Sequence, residues 1–314
     1  MVIFLVMRVV PGEPAAMILG DKASPEAIAR VRKALGLDEP LPVQYVRFGS
    51  DLVRGNLGNS FITRTPASEE IRSALPATVE LSLAAILLAV VFGVGAGIIS
   101  ATRRYSIFDR ASMVGAVLGI SMPSFWIGLL LIALFAVRLR WLPVSGRINV
   151  TLPFVPVSRF FLVDSLLTGN AVALADTLRH LALPAITLGT ASMALIARMT
   201  RSSMLEVIQQ DYIVMARAKG LRERMVIMRH ALKNALIPVA TVVGLQTGSL
   251  LGGAVLTETI FAWPGIGKLL VDAVVQRDIP VVQGIVMLTA LLFVLINLLV
   301  DLLYAYLDPR VRYA

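Results

Sequence analysis

The sequence contains no cysteine and only two histidines, His180 and His230, which lie far apart along the chain. A disulfide framework and a thiolate metal site are therefore excluded, and the two histidines form no local metal-binding pattern. Charged residues are also scarce: they make up 16% of the chain, against about a quarter of a typical soluble domain. Hydrophobic residues account for 57% and the mean hydropathy is +0.80, so the expected surroundings are a lipid bilayer.

Long apolar runs are the main feature of the chain. A helix needs about 20 mostly apolar residues to cross the hydrocarbon core of a bilayer. Five segments meet this requirement and are predicted to be transmembrane helices: 78–100, 112–137, 181–199, 235–260 and 281–307. A sixth apolar run, residues 1–10, is half as long and is followed by Pro11 and Gly12. We interpret it as the remnant of a first transmembrane helix.

The formal net charge of +9 sets the expected orientation rather than a nucleic-acid partner, because basic residues concentrate in the cytoplasmic loops of membrane proteins. Three basic segments, 101–111, 201–234 and 308–314, fall on one side if the spans alternate, so this side and the C-terminus are predicted to be cytoplasmic. The long segments 11–76 and 138–180 are then external. The first of these is expected to contain an amphipathic helix from Ser24 to Leu35, ended by Gly36.

The cytoplasmic segment 206–238 is long, basic and interleaved with apolar residues. Gly220 lies between two short helical runs, where a glycine permits a tight turn with positive φ. This pattern predicts two short helices joined at a corner. From the residues alone, two interpretations stay open: a docking element for another protein, or an amphipathic helix lying on anionic lipid.

Motifs along the whole chain resemble those of the permease subunits of ABC importers for dipeptides, oligopeptides and nickel, and most closely the dipeptide type. In chain order these include SMPSFWIG at 121–128, HLALPAITLG at 180–189, DYIVMARAKGL at 211–221, LTETIFAWPGIGKLL at 256–270 and NLLVDLLYAYLDPRVR at 297–312. One departure is that the Glu-Ala-Ala of the general permease motif is replaced here by Val214, Met215 and Ala216.

The resemblance implies an all-α polytopic protein with the type I ABC importer permease fold: five full transmembrane helices and a truncated first one. The implied domains are the remnant 1–10, an external region 11–76, a transmembrane permease domain 77–307 with a coupling loop at 201–234, and a cytoplasmic tail 308–314. The implied partners are a second, homologous permease subunit, two ABC ATPase subunits, an external solute-binding protein and the lipid bilayer of the bacterial inner membrane.

The resemblance also assigns roles to residues. It implies contacts with an ATPase for Ala216, Lys219, Gly220 and Leu221, and an external gate or loop for Glu258, Trp263, Pro264 and Gly265. It implies no catalytic residue, no metal and no bound cofactor in this chain, with ATP and Mg²⁺ used by the partner ATPases. The sequence agrees in that it contains no G-x-x-x-x-G-K-[ST] phosphate loop.

Two alternatives remain at this level. One is a nickel-chelate permease of the same family. The other, from a different class, is a self-contained secondary transporter, which would favour paired charges or broken repeats within the spans. Few charges lie in the predicted spans. Gly93 and Gly97 are expected to mediate close helix packing, and Asn297 and Asp301 to have structural roles.

Overall fold

The computed structural model describes residues 24–34, 36 and 38–307. The predictions for the remnant 1–10 and for the tail 308–314 lie outside these residues. In the described part the chain is helical, with one isolated antiparallel bridge between Asn59 and Pro66. The helices are α1 (Pro25–Ala34), α2 (Leu41–Val53), α3 (Ala67–Thr102), α4 (Ile107–Ser121), α5 (Ser124–Leu131), α6 (Phe161–Leu167), α7 (Ala171–Ile208), α8 (Asp211–Ala218), α9 (Glu223–Met225), α10 (Leu232–Gly253), α11 (Val255–Ile260), α12 (Ile266–Val275) and α13 (Ile279–Leu307).

Four stretches of the described chain are helical, long and apolar enough to cross a membrane: α3, α7, residues 223–252 and the 279–300 part of α13. The third combines α9 and α10 through a π-helical turn, Val226–Ala231. A fifth span results if α4 and the bent continuation through α5 to Arg138 count as one. The all-α polytopic class is confirmed.

The predicted second span is not straight. The segment expected as one helix over 112–137 bends by 109° between Ser121 and Ser124. Pro123 precedes α5 with φ −59° and ψ 133°, an extended conformation, and its missing N–H cannot continue the hydrogen bonds of α4. The break therefore follows from the backbone conformation of one proline, and a hydropathy profile alone does not reveal it.

Other helix boundaries also differ from the apolar segments. Helix α3 begins at Ala67, so the predicted domain boundary at residue 77 falls inside a helix. Helix α10 ends at Gly253, and the last residues of the predicted 235–260 span form the separate helix α11. In the external region, α1 lies where the amphipathic helix was predicted and Gly36 has a φ of +64°, while α2 is an additional helix.

Helices α3 and α7 pack along glycines. On α3, a Cβ atom at Gly97 would lie 2.5 Å from Thr200 Cβ and 2.7 Å from the carbonyl oxygen of Ala197. Gly93 of the same face is equally close to α7, and Gly189 of α7 approaches the backbone of Ala85. The predicted packing through Gly93 and Gly97 is confirmed, because small residues allow two membrane helices to approach closely.

We predict that Gly97→Val lowers the yield and thermal stability of the folded protein, because the added side chain would overlap backbone atoms of α7. Overpacking of this kind costs about 1–3 kcal/mol. The matched control is Gly95→Val, since a Cβ atom at Gly95 meets nothing within 4 Å. Thermal unfolding in detergent compares the two variants. Equal stabilities would show that the glycine contact does not hold α3 and α7 together.

Polar contacts mark the two ends of the bundle. At one end, Glu80 of α3 pairs with Arg147 of the long link before α6. At the other end, Arg201 of α7 pairs with Asp109 of α4, and Ser100 of α3 donates a hydrogen bond to the same carboxylate. Residues 80 and 100 of one α-helix are about 30 Å apart, the thickness of the hydrocarbon core. The links after α3 and after α7 therefore share one face of the membrane domain.

Candidate functional site

Helix α8 lies between the long helix α7 and the next membrane helix, and its end is built by Gly220. Gly220 has a φ of +75°. Its N–H donates to the carbonyl of Arg217 at 2.9 Å, and the N–H of Leu221 reaches back to the carbonyl of Ala216 at 3.4 Å. These two bonds form a Schellman motif, in which glycine is favoured because it has no Cβ penalty at positive φ. The predicted corner is present at Gly220, but the run after it is the start of the spanning stretch 223–252 and not a second short helix.

One side of α8 is anchored in the protein. Ile213 and Ala216 are buried in a hydrophobic cluster with Met204 of α7 and with Val226 and Ala231 of the π-helical turn. The anchoring residues are spaced three apart, so they lie on one face of the helix. A hydrogen bond adds to this anchor.

Polar side chains also hold α8 in place. The side-chain amide of Asn234 donates a hydrogen bond to the hydroxyl of Tyr212, at 2.7 Å. Arg217 also bridges the corner, with its guanidinium 2.7 Å and 3.1 Å from the two carboxylate oxygens of Glu223. A displacement of α8 must therefore move the end of α7 and the start of the next span with it.

The other side of α8 is an exposed apolar surface. Val214 is 56% exposed and Met215 is 59% exposed, although neither lies in a membrane-spanning stretch. Ala218, Lys219 and Gly220 continue this surface around the corner. We call these five residues the α8 outer face: Val214, Met215, Ala218, Lys219 and Gly220. A rigid helix with an apolar, unpartnered face is a docking surface in physical terms.

The predicted ATPase contacts divide between the two sides. Lys219 and Gly220 lie on the α8 outer face, and Leu221 is half-buried beside it. Ala216 is only 8% exposed and points into the cluster, so its small side chain serves packing within this chain. Val214 and Met215 were noted only as a departure from the family motif. The apolar pair Ile213 and Ala216, spaced i, i+3, indicates the buried face of α8. That spacing would have predicted Val214 and Met215 on the exposed face.

The residues predicted as an external gate form a compact buried group with one exposed member. Glu258, Trp263 and Gly265 are buried and Pro264 is exposed. The indole N–H of Trp263 donates to the carbonyl of Ala77 at 2.8 Å, so Trp263 is held within the protein rather than at the lipid interface. A Cβ atom at Gly265 would collide with the Glu258 carboxylate, which explains the glycine there.

Glu258 acts as a distant cap of α12. Gly265, at the N-cap position, offers no side chain, and the Glu258 carboxylate accepts the backbone N–H of Lys268 at 3.0 Å instead. The Thr78 hydroxyl donates to Glu258 at 2.6 Å and accepts the N–H of Ile266 at 2.8 Å. An anionic group at a helix N-terminus satisfies free N–H groups and complements the helix dipole. This network fixes the turn 261–265 onto α3.

A buried ion pair nearby was missed by the sequence reasoning. Arg147 lies 2.6 Å from the carboxylate of Glu80, and both side chains are nearly inaccessible to solvent. The second oxygen of Glu80 accepts the N–H of Leu162 at 2.9 Å. The guanidinium of Arg147 also stacks on the ring of Phe161, 3.8 Å from its centroid. No local pattern links Glu80 to Arg147, because the two residues lie 67 positions apart in the sequence.

Among the described residues, no group of three or more His, Cys, Asp or Glu side chains could hold a metal ion.

Comparison with known proteins identifies the architecture. The family described as binding-protein-dependent transport system inner membrane component matches residues 93–313, and its N-terminal companion matches residues 1–83. This chain belongs to that family. It is a permease of the ABC importer class, as its motifs predicted.

Individual relatives match the permease over almost its full length. It is 51% identical to the dipeptide transport system permease protein DppB of Alkalihalophilus pseudofirmus, covering 99% of this chain and 94% of the relative. It is 51% identical to the di/tripeptide transport system permease protein DppB of Pseudomonas aeruginosa, covering 99% and 93%. Identity to the dipeptide permease DppB of Escherichia coli K12 is 46%, covering 99% and 93%.

A solved structure shares the fold of the permease. The crystal structure of an amino acid ABC transporter with histidines superimposes with a TM-score of 0.53, covering 76% of this chain and 94% of the other at 12% identity. At that identity the likeness concerns the fold only. The predicted permease fold is thereby confirmed for the membrane domain.

Proposed function

We propose that this permease carries dipeptides and short oligopeptides across the bacterial inner membrane, driven by ATP hydrolysed in partner subunits. The relatives most similar to it are permeases of dipeptide and di/tripeptide systems, at up to 51% identity over nearly the whole chain. The observation that carries the mechanism is the α8 outer face, an exposed apolar surface on a helix anchored firmly between two spans. Neither a nickel-chelate permease nor a secondary transporter is favoured by these observations.

In the proposed mechanism, the α8 outer face docks into a groove of an ATPase subunit. Val214 and Met215 supply the apolar contact, and Lys219, Gly220 and Leu221 extend it around the corner. Closure of the ATPases on ATP would displace α8 as a rigid body. Because Ile213 and Ala216 lock α8 to the ends of two membrane helices, the displacement would rotate those helices between inward-open and outward-open states.

The chain's own residues would also hold the opposite end of the path in shape. Glu258 and Thr78 fix the turn 261–265 onto α3, and the Glu80–Arg147 pair fixes the long link before α6. We place these segments outside the cell, where an external solute-binding protein delivers substrate and where Pro264 is exposed. A second, homologous permease would complete the path, and the C-terminus would lie in the cytoplasm.

Orientation is supported by charge and by contact. The corner between α3 and α4 meets α7 through the Asp109–Arg201 pair, and it carries Arg103 and Arg104 in its link and Arg110 in the first turn of α4. The link after α7 is also basic. Both basic links thus lie at one end of the bundle, and basic links face the cytoplasm. The side chains that we place outside the cell, those of Thr78, Glu80, Arg147 and Glu258, lie at the other end.

Uptake in cells that lack only this chain tests the proposed function. We expect loss of uptake of labelled dipeptide, a smaller loss for a longer peptide, and unchanged uptake of nickel, with rescue by the gene. Loss of nickel uptake alone would overturn the peptide assignment in favour of the nickel-chelate alternative. Peptide uptake that persists after ATP depletion would overturn the ATP-driven mechanism.

A further inference from the structure

The corner between α3 and α4 lies at the membrane surface, because it directly follows a membrane-spanning helix. Its link, residues 103–106, joins a membrane-spanning helix to the first half of the bent pair. Six residues form what we call the arginine corner: Arg103, Arg104 and Tyr105 of the link, and Ile107, Phe108 and Arg110 of the first turn of α4. So short a link cannot move far from the bilayer surface, since each extended residue adds at most about 3.6 Å.

The backbone of the arginine corner is held in an unusual conformation. Tyr105 has a φ of +64°, which costs a non-glycine residue roughly 1–2 kcal/mol. Its N–H is held by the Asp109 carboxylate at 3.0 Å, and Arg201 grips the same carboxylate through two hydrogen bonds of 2.7 Å and 3.0 Å. The charge of Asp109 is therefore satisfied by Arg201. Strained conformations that are held in place in this way are typical of functional segments.

This conformation exposes apolar side chains at the corner. Tyr105 is 69%, Ile107 is 72% and Phe108 is 56% exposed. Three apolar or aromatic residues at the tip of a link would be unfavourable in water. At a bilayer surface they are favourable, because aromatic rings lie at the level of the headgroups and aliphatic groups enter the acyl region.

Three cations surround this apolar tip. Arg103, Arg104 and Arg110 are all exposed, and none of them forms an ion pair with a described residue. The Arg103 guanidinium lies 5.6 Å from the ring centroid of Phe108, and that of Arg104 lies 4.6 Å from the ring centroid of Tyr105. Stacking on the rings orients guanidinium groups while leaving their N–H donors free, and such donors match phosphate oxygens.

We infer that the arginine corner binds the headgroup of an anionic phospholipid in the leaflet on the coupling side. In this site Arg103, Arg104 and Arg110 contact the phosphate, while Ile107 and Phe108 enter the acyl-chain boundary. The charge is complementary and the apolar tip matches a membrane rather than a hydrated protein groove. The Asp109–Arg201 pair joins the corner to the end of α7, so bound lipid would steady the helix that leads into α8.

The test uses the assembled transporter in nanodiscs and measures association of spin-labelled phosphatidylglycerol relative to phosphatidylcholine. The variant Arg103→Gln/Arg104→Gln/Arg110→Gln is compared with Arg138→Gln/Arg140→Gln, whose exposed arginines lie at the other end of the bent pair. We expect selectivity for phosphatidylglycerol to fall by about fivefold per arginine in the triple variant, given the usual contribution of a basic residue near an anionic surface. The double variant should retain the wild-type selectivity.

A second readout tests the apolar half of the site. Because the sequence has no cysteine, Ile107→Cys gives a unique thiol for a nitroxide label. Collision with oxygen exceeding that with a water-soluble nickel chelate would place the label in lipid, as expected. Unchanged phosphatidylglycerol selectivity in the triple variant, or a label that is shielded by an ATPase subunit from both reagents, would overturn the proposal.

Discussion

Replacing Val214 with aspartate is expected to abolish peptide uptake while leaving the permease inserted in the membrane. Val214 is 56% exposed on the α8 outer face and is not a member of the buried cluster beneath it, so the substitution leaves that cluster intact. Docking would force the new carboxylate into an apolar groove. A buried charge without a partner costs several kcal/mol, and about 3 kcal/mol already weakens binding by more than 100-fold.

The measurements are uptake of labelled dipeptide and co-purification of the ATPase subunits. Val150→Asp is the matched control, because Val150 is also an exposed valine outside the membrane helices, in the long link before α6. It should transport normally. Normal transport and normal ATPase recovery in Val214→Asp would show that α8 does not dock on an ATPase subunit through this face.

The second large effect is expected at the buried ion pair. Glu80→Ala should destabilise the membrane domain by about 3–5 kcal/mol, because it leaves the charge of Arg147 buried without a counter-ion. The substitution also removes the acceptor for the N–H of Leu162. Guanidinium stacking on Phe161 remains, but it does not replace the carboxylate. Thermal unfolding of the purified permease in detergent measures the loss.

A double variant separates the lost pair from lost packing. Glu80→Gln/Arg147→Met removes both charges and keeps an amide oxygen as acceptor for Leu162, so most of the stability should return. Buried ion pairs can be replaced by neutral groups at little cost, whereas half of a pair is costly. A double variant as unstable as Glu80→Ala would show that shape at this site, rather than charge, holds the link to α3.

Among the described residues, three of the five predicted spans lie in single helices, whereas the predicted span 112–137 is bent and the span 235–260 is divided between α10 and α11. Hydropathy locates the part of a helix in the hydrocarbon, so the centres of α3, α7 and α13 fell inside the predicted spans. It does not report where a helix ends in water. Helix α7 extends from Ala171 to Ile208 because Asn170 caps its start and its polar turns continue the backbone hydrogen bonds.

The corner at Gly220 was predictable because it depends on one residue and its immediate neighbours. The outward position of Val214 and Met215 depended on the choice of helical face, which a single short helix leaves ambiguous until the buried Ile213 and Ala216 are known. The family resemblance implied ATPase contacts for this loop, and one of the residues it implied, Ala216, is buried in the fold.

Long-range polar contacts were the features least accessible from the sequence. Glu80 and Arg147, Thr78 and Glu258, and Asp109 and Arg201 each join distant parts of the chain. Their partners are chosen by the packing of helices, which no local spacing encodes. Glu258 and Gly265 were singled out as an external element, yet their relation as a carboxylate cap and the glycine that makes room for it required the fold.

Cross-linking at Met215 tests the coupling role of α8 most directly. Since the sequence has no cysteine, Met215→Cys provides a single thiol on the α8 outer face, and Val150→Cys provides the control at the other end of the bundle. A thiol-to-amine cross-linker of short span should join Met215→Cys to an ATPase subunit, with a yield that changes when ATP is bound, and should leave Val150→Cys unlinked to it. An assembled, transport-competent complex in which Met215→Cys never reaches an ATPase subunit would contradict the assignment of α8 as the coupling helix.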